Sequence, residues 1–302
     1  MKRILSLFGM VAMVLLLTVS CKKEENNGMK TVKISVKIDQ TEGKHYVDGS
    51  LQRWSAGDKI KVNGIVLEEV AIHDDPTTGS FAVFEGMISE DAVFEPTYYG
   101  VYPSTSPMFL YDGPVTEGQW ELNDNCVEVE IKNQQQYVEN SFDPMAAPMS
   151  AKGEDDNIRF QLLYSVARFD LYSSASQPLN VSKLVFRSRP TSSSNKKTEP
   201  AYIAGKFIQN QTRNRHNIEE VHTEIVLNCP ELVEIPTDVT KAVPFHFVIA
   251  PCEMGGFDVD IYTDNNNETP YTTISYDKFF SNFSSAGNFE HFTEVPVSAS
   301  GN

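Results

Sequence analysis

Basic charge, tryptophan, cysteine and long apolar runs are all scarce in this chain, and each scarcity excludes something. The 302 residues hold 25 Lys and Arg against 41 Asp and Glu, a formal charge of −16. Phosphate binding needs a basic face, so this balance argues against nucleic acid as a partner. It suits a self-repelling, soluble surface. With 4 cysteines in the whole chain there is no dense disulfide framework. Outside the run Ile4–Val19 no apolar stretch approaches the length of a membrane helix. Recognisable catalytic patterns are missing too. There is neither a Gly-x-Ser-x-Gly elbow nor a Gly-rich phosphate loop. The histidines, at 45, 73, 216, 222, 246 and 291, show no metal-ligand spacing with cysteine or acid. Ser193-Ser194-Asn195-Lys196 matches Ser-x-x-Lys formally, but it lies in a Ser-rich loop with no apolar scaffold for a nucleophile. The reading is non-enzymatic, with no metal and no cofactor.

What is present is alternation. Val32, Ile34, Val36 and Ile38 share one parity of Thr31–Ile38, and Lys33, Ser35 and Lys37 share the other. A period of two marks a half-buried strand. Short runs of the same kind follow at Lys59–Val66, Glu69–Ile72, Ser80–Glu85, Tyr98–Val101, Phe109–Tyr111, Gln119–Leu122 and Val127–Ile131, separated by Asp-, Asn-, Gly- and Pro-rich turns. The stretch 133–157 breaks the rhythm and reads as a connection, with a domain boundary near residue 155. From Ile158 to Leu171 one long central strand is expected, with a bulge where the apolar parity switches between Val166 and Ala167. Val181–Phe186, Ala201–Ile208, Val221–Leu227, Val243–Ala250, Phe257–Tyr262, Tyr271–Ile274 and Phe292–Val297 complete the strands, Val243–Ala250 apolar enough for cover on both faces. Tyr276, Phe279, Phe280 and Phe283 fall at i, i+3, i+4 and i+7 and predict one short helix over 276–283. The class is therefore mainly β, in two sandwich-like domains spanning 31–155 and 156–302.

The N-terminus reads as an export signal. Residues 1–20 have a basic start, an apolar core and a small residue before Cys21, the layout of a secretory signal. Leu17-Thr18-Val19-Ser20-Cys21 resembles a bacterial lipoprotein signal, which makes Cys21 the lipidation site and the outer membrane the anchorage. Residues 21–30, with Lys22-Lys23-Glu24-Glu25, then form a flexible tether of the kind that resembles a surface-export leader. Removal of residues 1–20 takes away Lys2 and Arg3 and leaves the mature chain near −18.

The remaining Cys126, Cys229 and Cys252 are expected to stay unpaired. If Glu224–Asn228 and Val243–Ala250 formed a hairpin, Cys229 and Cys252 would sit about 25 Å apart, beyond disulfide reach. One electrostatic feature stands out in so acidic a chain. From Arg187 to His216 there are seven basic residues, Arg187, Arg189, Lys196, Lys197, Lys206, Arg213 and Arg215, against the single acid Glu199. That block could dock an anionic partner, with Arg187, Arg189, Lys196, Lys197, Arg213 and Arg215 as candidates, or complement the chain's own carboxylates.

Several segments together resemble the fimbrillin family, the two-domain subunits, anchors and tip proteins of a Bacteroidetes pilus. They are Trp54-Ser55-Ala56-Gly57-Asp58-Lys59-Ile60-Lys61-Val62-Asn63-Gly64, Tyr98-Tyr99-Gly100-Val101-Tyr102-Pro103, Asp143-Pro144-Met145-Ala146-Ala147, Arg159 to Leu171, and Phe247-Val248-Ile249-Ala250-Pro251 followed by Gly256-Phe257-Asp258-Val259. The resemblance implies two tandem transthyretin-like sandwiches, a cell-surface or pilus location, and other pilus subunits or a surface ligand as partners. It also implies assembly by strand exchange after proteolysis behind the first strand. Arg53 is the processing candidate, being the single arginine between the first two strands. Lys33 and Lys37 fit equally a permanent edge strand made safe by charge. The short polar tail Ser298–Asn302 leans toward a tip, accessory or anchor role over a stalk. A surface glycan-binding lipoprotein of a polysaccharide-uptake system shares the same leader and β folds. It would differ by displaying two or three exposed aromatics on one flat face.

Overall fold

The computed structural model describes residues 28–38, 54, 56–62, 65–75, 79–90, 98–102, 126–153, 157–190, 199–210, 215–263, 268–281, 283 and 286–298. The runs expected at Phe109–Tyr111 and Gln119–Leu122 lie outside them. The chain is nearly all β. Its strands are β1 (Met29–Ile38), β2 (Lys59–Val62), β3 (Ile65–Asp75), β4 (Gly79–Ser89), β5 (Tyr98–Tyr102), β6 (Cys126–Ile131), β7 (Gln134–Gln136), β8 (Met149–Gly153) and β9 (Asn157–Leu162). They continue as β10 (Ser165–Ser173), β11 (Leu179–Ser188), β12 (Ala204–Asn210), β13 (Arg215–His222), β14 (Glu224–Ile235), β15 (Val243–Ile249), β16 (Phe257–Thr263), β17 (Thr272–Tyr276) and β18 (Phe289–Val297).

Seven strands close into a barrel in the order β1-β4-β3-β2-β5-β8-β9. The run expected at Lys59–Val66 is the β2–β3 hairpin, with Val62 opposite Ile65. Gly57 enters it at a φ of +85°, a conformation that a residue with a Cβ rarely adopts. Asp58 O accepts from Glu69 N at 3.0 Å and fixes the approach.

The second half is a sandwich. A three-stranded sheet, β15-β10-β18, packs against a five-stranded one, β17-β16-β11-β14-β7. Aromatic rings fill the space between them. Phe169 of β10 stacks on Phe292 of β18 at 4.7 Å, and Phe186 of β11 stacks on Phe257 of β16 at 4.6 Å. Phe169 and Phe257 close the gap between the sheets edge-on at 5.9 Å. Offset and edge-on pairs of this kind add to the free energy of simple area burial. A third sheet, β13-β12-β6, completes the architecture.

Strand pairing crosses residue 155 in both directions. β9 joins the barrel beside β1 and β8, while β6 pairs with β12 and β7 with β14. The stretch read as a connection thus supplies structural strands. Gln135 of β7 is fully buried, and its carboxamide bonds the backbone of Val248 in β15 twice. Nε2 donates to the carbonyl at 2.7 Å, and Oε1 accepts the amide at 3.0 Å. Asp143 also works locally, accepting from Gln136 N and Met145 N.

Two expected elements are corrected. Ile158–Leu171 is not one strand with a bulge at 166/167. It is β9 and β10, parted at Leu163-Tyr164, where the chain passes from barrel to sandwich. Leu163 N donates to Pro148 O at 3.1 Å, just before β8, and Tyr164 O accepts from Gly287 N at 2.7 Å, just before β18, so the two residues bond the approaches to different sheets. Burial on both sides of that passage removes the single parity a lone strand would show. An irregularity does occur in β10, further on, between Phe169 and Leu171 against β18.

The helix over 276–283 does not form. Tyr276 ends β17, Phe283 is buried and Phe279 is 55% exposed, so the four aromatics share no helical face. Phe280 instead exchanges both backbone hydrogen bonds with Met254, at 2.9 and 3.1 Å. Pairing across the chain outweighs a local pattern too short to hold a helix by itself. Val243–Ala250, by contrast, is covered on both faces, with Phe245, His246, Phe247, Val248, Ile249 and Ala250 all buried.

Candidate functional site

The barrel closes at β1, and the sequence shows why. Ile34, Val36 and Ile38 point inward and are buried, while Lys33, Ser35 and Lys37 face out. β4 lines one side antiparallel, from Met29 opposite Ser89 to Lys37 opposite Phe81. β9 lines the other side parallel, along Ser35–Ile38 opposite Asn157–Phe160. β1 is therefore an interior strand along its second half and pairs only with β4 along its first. Lys33 and Lys37 do not mark a simple edge strand.

Trp54 packs at this seam. Its side chain is 4% exposed. The indole meets Phe84 of β4 edge-on at 5.0 Å and Phe160 of β9 edge-on at 5.5 Å. Phe84 stands opposite Ile34, and Phe160 opposite Ile38. Trp54 thus spans, on the inner side, the two strands between which β1 lies. On the outer side Lys33 Nζ lies 2.8 Å from Glu85 Oε2. Glu85 is itself opposite Glu68, and Glu68 pairs with Lys59 of β2. A row Lys–Glu–Glu–Lys therefore runs across four strands.

Arg53 lies outside the described residues, as do Cys21, Lys196, Lys197 and Arg213. Of Arg215 only the backbone in β13 is described. Arg187 and Arg189 are directed at carboxylates of the chain itself. Arg187 pairs with Asp260, which is 2% exposed and also accepts from Thr273 Oγ1 at 2.7 Å. Arg189 Nε donates to Asp258 Oδ2 at 2.8 Å, and the same guanidinium contacts Asp277 and Ser275. Hydrogen bonding to Asp258 holds the Arg189 guanidinium above its ordinary range. Burial is the largest single influence on Arg187 and would lower it, but its bond to Asp260 and the nearby charges of Asp260, Asp258 and Tyr262 together raise it. Lys206 pairs with Glu220 at 3.3 Å. These three form in-chain ion pairs, the second of the two arrangements open to the basic block.

Sequence reasoning missed one further polar group. Arg168, Asp170 and His291 meet on β10 and β18, with Arg168 Nε 2.7 Å from Asp170 Oδ1 and His291 Nε2 2.6 Å from Oδ2. His246 stands opposite Arg168 and is 3% exposed. Burial, with the charge of Arg168 next, pushes its pKa down to about 4. These residues lie over a hundred positions apart in part, and only the β15-β10-β18 pairing joins them.

Cys229 and Cys252 are both thiols, not joined by a disulfide. The hairpin argument behind that expectation does not apply, because β14 pairs with β11 and β7 while β15 pairs with β10. Burial pushes the Cys229 thiol up to about 12, leaving it unreactive at neutral pH. Among the described residues no group of three or more His, Cys, Asp or Glu is placed to hold a metal ion. No helix among them is long and apolar enough to cross a membrane.

No protein-family model matches the chain, and no curated protein matches it. Solved structures give weak likenesses. A candidate cell adhesion protein from Bacteroides ovatus is 14% identical, with 84% of this chain and 89% of that one covered and a TM-score of 0.41. A second candidate cell adhesion protein, from Bacteroides thetaiotaomicron, is 10% identical over 88% and 92%, with a TM-score of 0.30. The major pilin of Streptococcus pyogenes, as an E117A mutant, is 8% identical over 86% and 96%, with a TM-score of 0.17. At these scores none of them assigns a fold or a function to this chain.

Proposed function

We propose that this chain is a cell-surface adhesin or pilus subunit of the fimbrillin type, held to the outer membrane through a lipid on Cys21, whose first strand can be replaced by one from another subunit. The observation that carries the reading is the position of β1. It begins at Met29, fills the closing seam of the barrel, and has partners on both sides along Ser35–Lys37. Its removal would leave an apolar slot and two rows of open backbone groups, which an incoming strand can satisfy. The sequence segments resembling fimbrillins give the same direction. The glycan-binding alternative gains no specific support, since Phe279 is the one aromatic among the exposed large hydrophobic side chains of the described residues.

The test is an arginine-specific digest of the folded protein, read by mass at Arg53 and followed by sizing. A cut at Arg53, loss of the N-terminal fragment and growth of oligomers are expected. A first strand that stays covalently attached, with the protein remaining a monomer, would sink the strand-replacement reading.

A further inference from the structure

If β1 leaves, what decides which strand takes its place? Two residues outside β1 border its place, Trp54 on the inner side and, on the outer side, Glu85 of β4, opposite Lys33 and two positions ahead of the reach of β9. On the inner side Trp54 rests edge-on against Phe84 and Phe160, one ring from each wall. Those walls, β4 and β9, stand two inter-strand spacings apart, about 9.5 Å in a regular sheet. An emptied apolar slot of that width tends to collapse, because each wall gains by covering the other. A rigid indole set between Phe84 and Phe160 opposes that collapse.

The outer side carries a charge key. With β1 in place, Lys33 neutralises Glu85 at 2.8 Å. With β1 gone, Glu85 stands directly opposite Glu68, whose own cation Lys59 lies on the far side. Like charges facing each other across a strand pair are unfavourable, so an incoming basic side chain relieves the pair. Inside, the row Ile34, Val36 and Ile38 meets Phe84, Ala82 and Phe160. That geometry takes aliphatic side chains at every second position.

We propose that the vacated slot between β4 and β9 is a binding site selective for an extended segment with alternate aliphatic residues and one Lys or Arg set opposite Glu85, with Trp54 as the positioning residue that keeps the slot one strand wide. This rests on the reading of β1 as replaceable.

The experiment uses the full chain with a site-specific protease sequence placed within residues 39–52, cut while folded. A labelled synthetic peptide of residues 29–38 is then offered, alongside its Lys33→Glu form, and uptake is followed by anisotropy. The unaltered peptide is expected to enter the cut chain, with the Lys33→Glu peptide about fivefold weaker. A Glu85→Gln chain should narrow that difference. A Trp54→Ala chain should take up the peptide about tenfold more weakly or worse, with Trp54→Phe in between. Melting of the uncut variants comes first, and if Trp54→Ala does not melt cooperatively, Trp54→Phe and Trp54→Leu supply the comparison. Equal uptake of both peptides, or undiminished uptake by the Trp54 variants, overturns the proposal. No uptake by the cut wild-type chain overturns the replaceable-strand reading itself, a distinguishable result.

Discussion

The barrel and the sandwich hold their central strands in opposite ways. β10 of the sandwich is paired along most of its length on both sides, to β15 and to β18. It places Phe169 amid Phe186, Phe247, Phe257 and Phe292. β1 of the barrel gives three aliphatic side chains to its core and is flanked on the β9 side along four residues. Its aromatic neighbours, Trp54, Phe84 and Phe160, belong to other segments. A strand that brings the aromatic centre of a core cannot leave without dissolving it. One that brings aliphatic filling between walls anchored elsewhere leaves those walls bridged by Trp54. The two halves thus differ in how their central strands are held, and on the proposed reading one is fixed and the other able to yield.

The largest expected effect comes from the fixed half. Phe169→Ala should cost about 3–5 kcal/mol in denaturant unfolding, with protection lost from the amides of β10, β11 and β16. Ile34→Ala in the yielding half should cost about 2–4 kcal/mol, with faster amide exchange concentrated in β1, β4 and β9. Equal loss of protection across both halves in either variant would break the comparison.

Acid should act next, and on the sandwich. His246 has a folded-state pKa of about 4, below its ordinary 6.5, because burial and the Arg168 charge disfavour its cation. Nearby His291 adds to that, and Asp170 opposes it. The unfolded chain therefore binds the proton more readily than the folded one between those values. Stability is fully present above about pH 6.5 and falls as pH drops toward 4, on the order of 3 kcal/mol. Urea midpoints at pH 7 and pH 4.5 should show the drop, and His246→Asn should flatten it. A drop of the same size in that variant would assign the acid sensitivity elsewhere.

The smallest effect is on the outer face of the barrel. Lys33→Ala removes an exposed ion pair and should lower stability by less than about 1 kcal/mol. A larger loss would mean that the Lys33–Glu85 contact holds β1 in place as well as selecting it.

The strands themselves were largely legible, for a physical reason. Ile34, Val36 and Ile38 alternate because one face of β1 is wet and the other dry, and that contrast is local. Trp54 is buried, as its size and apolarity favour. What escaped is non-local. Nothing near Asn157 announces a parallel partner 122 residues earlier, at Ser35 of β1, and nothing near Val129 announces β12. The aromatics at 276–283 satisfied a helical spacing, yet Phe279 faces water and Phe280 bonds Met254, a partner the local pattern could not reveal. The run Ile158–Leu171 hid a passage between two cores because both cores are apolar. The basic block carried the clearest charge signal in the chain, but Asp258, Asp260 and Asp277, which receive Arg187 and Arg189, lie some seventy to ninety residues further on.

The carboxamide of Gln135 has a consequence for the fate of the chain outside its own fold. By donating to and accepting from Val248, it occupies a backbone position of β15 that another chain's strand would otherwise match. A glutamate there could accept but not donate, and an aliphatic residue could do neither. If β1 is the place where the protein invites a foreign strand, Gln135 is where it declines one, and a protein that polymerises through one seam has every reason to keep its other seams shut.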